Sequence, residues 1–254
     1  RVEFTIETVH NAVLSFVSNG GSVVERVELP VGTALDLSAY VTEREGYDFT
    51  GWYLDAALTQ PITSLTLEAD TTVYAGWRIR NPFVDVAEKD YFYDAVLWGV
   101  ENGVVKGMDE THFEPETVCT RAQALTFLWR ANGMPQPKTT TNPFVDVDAS
   151  AYYYDAVLWG IENGIVKGMD ETHFEPDTAC SRAHALTFLW RAKGMPQASG
   201  TTFADVPANA YYAQAVAWGV ENGIVKGMDE THFEPDTLCQ RAHAVTFLWR
   251  AYAN

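Results

Sequence analysis

Three arginines, Arg121, Arg182 and Arg241, stand at matching places in the segments Thr-Arg-Ala-Gln, Ser-Arg-Ala-His and Gln-Arg-Ala-His. Each is predicted to open a helix, where a cation faces the positive end of the helix dipole at a cost of roughly 0.3–1 kcal/mol. An anion at the same helix end, held by the guanidinium and by free backbone N–H groups, removes that cost. A carboxylate brought by a ligand is such an anion. The rival is a carboxylate of the chain itself, such as Asp85 or Asp109. Trp98, Trp159 and Trp218 form a second set, read either as core or as rings that stack on a sugar face. Lys106, Lys167 and Lys226 each precede a glycine: Gly107, Gly168 and Gly227. In so acidic a chain they suggest local positive spots, although plain exposed lysines would look the same. The glycines either serve a turn or let a ligand approach the backbone.

Cys180-x-x-x-His184 and Cys239-x-x-x-His243 resemble metal spacings, but the first copy has Gln123 in place of histidine. Tetrahedral zinc sites usually present tighter pairs, so Cys119, Cys180 and Cys239 are expected to be buried small hydrophobes. His112, His173 and His232 are expected at the surface. No metal or cofactor is expected. Nucleophile-elbow, phosphate-loop and zinc-protease motifs are missing, and the expectation is that the chain is not an enzyme.

These residues recur because the chain repeats itself. Glu101 to Pro115 returns almost unchanged at Glu162 to Pro176 and at Glu221 to Pro235, a period of about 60 residues. Three copies are assigned to residues 80–138, 139–198 and 199–254, joined by segments rich in Pro, Thr, Ser, Gln and Gly. In copy one a first helix is predicted over Tyr91–Glu101, with Phe92, Val96 and Val100 on one stripe and Asn102-Gly103 as its stop. Two short extended pieces follow, Val104–Lys106 and His112–Glu114, around a turn at Asp109-Glu110. A second helix runs from Arg121 to Ala131, with Thr120 and Gln123 forming a capping box and Gly133 the stop. Ala122, Leu125, Leu128 and Trp129 face one side, and Ala124 and Phe127 crowd the other, so this helix should be central. One such repeat cannot close its own core. A solenoid needs polar end caps, and the last copy is as apolar as the first, so closure into a three-fold ring is expected.

Residues 1–79 differ. Val2, Phe4 and Ile6 alternate with polar neighbours, as do Val13 and Ser15, and then Val23 to Leu29, with a turn at Asn19-Gly20-Gly21. Aromatic residues gather in Gly46–Tyr53 and Val73–Trp77. A small β-rich module results, giving an α+β, multidomain chain.

The chain has 254 residues, 47% of them hydrophobic, which suffices for a core, and its net charge is -17. That balance disfavours nucleic acid and an anionic membrane surface as partners. No run approaches the roughly 18–20 apolar residues of a membrane span, so no membrane insertion is expected. The chain opens inside a strand pattern and shows no signal peptide, which reads as a cytoplasmic protein or a trimmed piece of an exported one.

Phe-x-Asp-Val, Asn-Gly-Ile/Val-Val-Lys-Gly, Phe-Glu-Pro and the Arg-Ala segment, in this order three times, resemble the S-layer homology domain over about 170 residues. That resemblance implies a pseudo-trimeric unit with a central three-helix bundle and short hairpins, and non-covalent retention of an exported protein on bacterial cell-wall polysaccharide, commonly through a pyruvylated amino sugar. With such a ligand, the arginines, tryptophans, lysines and glycines named above are expected to bind it in grooves between repeats. The family's Thr-Arg-Ala-Glu signature has lost its acid in every copy here. Residues 1–79 resemble the internalin-type B-repeat (Listeria–Bacteroides repeat), a β-grasp-like module of bacterial surface proteins. A host or surface-protein partner is open to it.

Overall fold

The computed structural model describes residues 10–200 and 203–253. The alternation at Val2, Phe4 and Ile6 lies outside the described residues. The chain divides into two compact units, one ending at Arg80 and the other beginning at Asn81.

The first unit is built on strands β1 (Asn11–Val17), β2 (Val27–Pro30), β3 (Thr33–Asp36), β4 (Tyr47–Tyr53), β5 (Pro61–Ile62), β6 (Ser64–Leu67) and β7 (Thr71–Ile79). Five of them form a sheet in the order β2-β1-β7-β4-β5, in which β1 and β7 run parallel, and β3 pairs with β6 separately. The two aromatic runs become β4 and β7 and pair antiparallel through Phe49–Trp77 and Tyr53–Tyr74. Leu14, Leu37, Trp52, Leu67 and Val73 fill the core. The Trp52 indole N–H donates to the Tyr40 carbonyl at 2.8 Å, so its polar atom is satisfied. The second strand is shorter than expected: Val23 to Arg26 is not in it. Val27 is the last residue paired with β1, opposite Leu14, and the Ser22 amide turns away to the Glu43 carbonyl, leaving Val23 82% exposed.

The second unit carries six helices: α1 (Tyr93–Glu101), α2 (Arg121–Ala131), α3 (Tyr154–Glu162), α4 (Arg182–Ala192), α5 (Ala213–Glu221) and α6 (Arg241–Tyr252). The first helix of each copy starts two residues late, because the Tyr93 amide is still closing a turn onto the Asp90 carbonyl. The extended pieces behind it form no regular ladder. Each hairpin is closed by the histidine carbonyl, which in copy one accepts from Met108 N at 2.9 Å and from Asp109 N at 3.4 Å. Helices α2, α4 and α6 pack on one another along a seam lined by Ala124, Ala185 and Ala244 with Leu128, Leu189 and Leu248. The alanines let the backbones approach. Each first helix docks on the second helix of the preceding copy: α3 on α2, α5 on α4, and α1 on α6. The ring is therefore closed.

The backbone repeats this closure. Cys180 N donates to Cys119 O, Cys239 N to Cys180 O, and Cys119 N to Cys239 O, at 2.7–2.9 Å. All three cysteines are free and fully buried. Burial pushes the Cys119 and Cys180 thiols up to about 12. No helix among the described residues is long and apolar enough to cross a membrane.

Candidate functional site

Arg121 illustrates how the ring builds a site. Thr120 caps α2 through the Gln123 amide, and the Gln123 side chain returns to the Thr120 amide, completing the capping box. Ser181 caps α4 through the His184 amide, while the Gln240 side chain makes no cap. The next two amides are taken by the following copy: Arg121 N donates to Thr178 O at 2.9 Å and Ala122 N to Pro176 O at 3.0 Å. The same two bonds recur at α4 with Thr237 and Pro235, and at α6 with Thr117 and Pro115. These amides are thus not free for an anion. Carbonyl oxygens of the neighbouring copy already supply the negative potential that the helix end demands.

The guanidinium follows the same logic. Arg121 Nε donates to Phe174 O at 2.9 Å, Arg182 Nε to Phe233 O at 3.2 Å and Arg241 Nε to Phe113 O at 2.9 Å. Each cation also lies over two phenylalanine rings, Phe174 and Phe188 in the case of Arg121. The carboxylates considered as rivals are engaged elsewhere. Asp85 accepts the Phe113 and Glu114 amides, and Asp109 accepts from Thr111 and His112. The chain's answer to three buried cations is backbone carbonyl and aromatic face.

The three arginines are only 2–3% exposed, yet they are not equally satisfied. Arg182 Nη2 donates to Lys226 O at 3.1 Å and Arg241 Nη2 to Lys106 O at 2.7 Å. Arg121 Nη2 is buried without a partner. It lines a groove of about 300 Å³ together with Lys167, Gly168 and Met169 of copy two, His184, Thr187, Phe188 and Arg191 of α4, and Tyr211 of copy three. All three copies meet there. The half-exposed Tyr211 and Met169 offer apolar surface beside three cations. Burial pushes the Tyr211 hydroxyl up to about 12, so it remains a donor. The groove suits an amphipathic ligand with a negative charge.

The lysines Lys106, Lys167 and Lys226 are exposed, and Lys167 lines this groove. Their glycines serve the loop itself. A Cβ on Gly107 would strike the Asp109 carbonyl oxygen and the Phe83 ring, and Gly168 and Gly227 are confined in the same way. The tryptophans fall elsewhere. Trp98, Trp159 and Trp218 pack with the core, the last two only 7% exposed. Trp159 lines a separate cleft with Asn132, Pro135, Asn163 and Ile165, and Arg191 lines both this cleft and the groove. The structure thus joins arginine, lysine and glycine and leaves the tryptophans apart.

Met169, Arg191 and Tyr211 were not singled out from sequence. Their signal was present: Met108 and Met228, Arg130 and Arg250, and Tyr91 and Tyr152 hold the same places in the other copies. His112, His173 and His232 are about half exposed and bond to Asp109, Asp170 and Asp229 in their own turns. Among the described residues no His, Cys, Asp or Glu cluster could hold a metal.

Comparison with known proteins agrees with this architecture. The Listeria-Bacteroides repeat domain matches residues 13–76. The S-layer homology domain matches residues 82–125, 143–186 and 202–245, together just over half of the chain. Relatives include the surface-layer 125 kDa protein of Lysinibacillus sphaericus, 30% identical over 62% of this chain and 14% of that protein. The S-layer protein sap of Bacillus anthracis is 28% identical over 65% of this chain and 20% of its own length. An amylopullulanase of Thermoanaerobacterium thermosulfurigenes is 25% identical over 69% of this chain and 10% of its own. The chain spans a fifth or less of each of these relatives. It belongs to the S-layer homology domain family, and with it to the extracellular proteins associated with the bacterial cell wall.

Proposed function

We propose that the three repeats anchor a surface protein without covalent attachment by gripping an anionic, pyruvylated secondary cell-wall polysaccharide in the grooves between copies. The carrying observation is the unpartnered, buried Nη2 of Arg121, set in a groove with Lys167 and Arg191 in a chain of net charge -17. A buried guanidinium nitrogen without an acceptor carries a desolvation cost, and a ligand carboxylate removes it. The N–H groups of the helix ends take no part in this reading, and the tryptophans contribute packing. Surface-layer relatives carry the same segment as a small share of a long chain. An amylopullulanase carries it in a tenth of its length, which fits a portable anchor beside an unrelated activity. The N-terminal module would then serve as a spacer or an adhesion element toward a host or surface protein.

The test is sedimentation of the chain with protein-free cell-wall sacculi before and after extraction of the secondary polymers. Binding should be present before and lost after. Equal binding to extracted walls would refute the reading. Binding to a surface-layer protein but not to protein-free walls would make the repeats a protein scaffold instead.

A further inference from the structure

Copies two and three carry a histidine, His184 and His243, where copy one carries Gln123. His184 shares its groove with Arg121, Lys167 and Arg191, and it stacks on Tyr211 with centroids 5.9 Å apart. His243 stacks between Tyr91 at 6.3 Å and Phe247 at 6.5 Å. Phe247 also lies under Arg182, so these two hold the places that Phe188 and Arg121 hold one copy earlier, with Arg182 Nη2 here taken by the carbonyl of Lys226. In both histidines Nδ1 is buried and has no hydrogen-bond partner. An imidazole presents a donor on both nitrogens only when it is protonated. The groups that act on His184 are the Arg121 and Arg191 cations, with Asp236 as a single opposing carboxylate. Arg182 acts on His243, and Arg182 and Arg250 both act on its neighbour Tyr91. Burial first, and then the arginines, hold both imidazoles below their ordinary value, so the empty grooves keep them neutral at neutral pH.

We infer that His184 and His243 are proton-accepting contacts for the anionic ligand, so that binding in these two grooves takes up one proton each, whereas the Gln123 groove binds without one. This rests on the groove reading above. A ligand carboxylate placed among Arg121, Lys167 and Arg191 cancels the field that disfavours the imidazolium. The proton comes from solvent, and the new N–H donates to an oxygen of the ligand. The sign follows. The histidine titrates lower in the empty groove than in the filled one, and between those two values affinity rises as pH falls. The limit is about ten-fold per pH unit for each groove, with flat response outside the window. Mild acidity then tightens the anchor at two grooves and leaves the third unchanged.

The experiment is calorimetry of the whole chain with a pyruvylated amino sugar, with the same sugar lacking the pyruvate as control. Titrations at pH values of about 5.5, 6.5 and 8 straddle the imidazole range. Two buffers of different ionisation enthalpy at each pH count the protons. The parent should take up protons and bind more tightly toward low pH. The double variant His184→Gln, His243→Gln places at each groove the residue that the fold already carries at Gln123, and it should bind with a flat profile and no uptake. Gln123→His should add uptake at the third groove. Binding by the parent without proton uptake, or an unchanged profile in the double variant, overturns the inference and leaves the groove reading standing. Equal binding of the sugar without pyruvate also overturns it, since no anion is then recognised. Failure of the pyruvylated sugar to bind at any pH removes the groove reading, and this inference with it.

Discussion

Replacing Arg241 by alanine should destabilise the repeats more than replacing Arg121. The two side chains are buried alike, hold the same position on their helices, and lie over equivalent phenylalanine pairs, Phe174 and Phe188 for Arg121 and Phe113 and Phe127 for Arg241. They differ in bonds: Arg241 reaches Phe113 O and Lys106 O, at 2.9 and 2.7 Å, whereas Arg121 reaches only Phe174 O. A hydrogen bond to a charged group contributes about 1.5–3 kcal/mol. Arg241→Ala should therefore cost about 1.5–3 kcal/mol more than Arg121→Ala, and the orphaned nitrogen of Arg121 widens the gap. For a unit of this size that difference is about 3–12 °C in Tm. The assay is loss of the helical circular-dichroism signal on heating and in urea, since the six α-helices of the described residues all lie in the repeats. Equal losses for the two variants, or a larger loss for Arg121→Ala, would refute the bond count. The binding assay should rank the pair differently, because the groove reading assigns the free nitrogen to the ligand. Arg121→Ala should lose wall binding in the absence of denaturant, where it is still folded.

Gly168→Ala should cost about 1–3 kcal/mol in urea unfolding and weaken wall binding, because the new Cβ strikes the Asp170 and His173 carbonyls that shape the groove loop. Gln240→Ser should stabilise α6 by about 0.5–1 kcal/mol, measured the same way, since it introduces the cap that Ser181 provides on α4. The carboxyls of Asp109, Asp170 and Asp229 are held at about 2, chiefly by the amides of Thr111, Thr172 and Thr231. Their folded-state values lie below the usual 3.8, so their contribution is complete above that value and is lost as pH falls toward 2. A triple Asp→Asn variant should show a flatter helix signal across that window in an acid titration.

The second helix was legible because its apolar residues crowd both sides between a capping box at Thr120 and a stop at Gly133, and such a helix has to be central. The third copy, as apolar as the first, pointed to closure, and α1 packing on α6 is how closure is achieved. The partners of Arg121 were not legible. They are the carbonyls of Phe174 and Thr178, and a carbonyl has no letter of its own in a sequence. Trp159 and Lys167 stand close along the chain, but a helix end and a turn intervene and send them to different clefts. Tyr211 belongs to copy three and completes a groove opened by copy one, a relation that only the ring creates.

The cyclic exchange of amides among Cys119, Cys180 and Cys239 bears on how such a unit can change over generations. A line of three members has two joints, and losing an end member leaves one joint intact. A ring of three has three joints, and losing any member destroys two of them. The remaining pair keeps one joint and exposes two faces shaped for an absent neighbour. Duplication or deletion of a single copy therefore produces a chain that cannot close, while duplication of all three produces two complete rings. Inheritance of this anchor should proceed in threes. Point changes within one copy, such as Gln123 against His184, are then the finer route by which the three copies diverge.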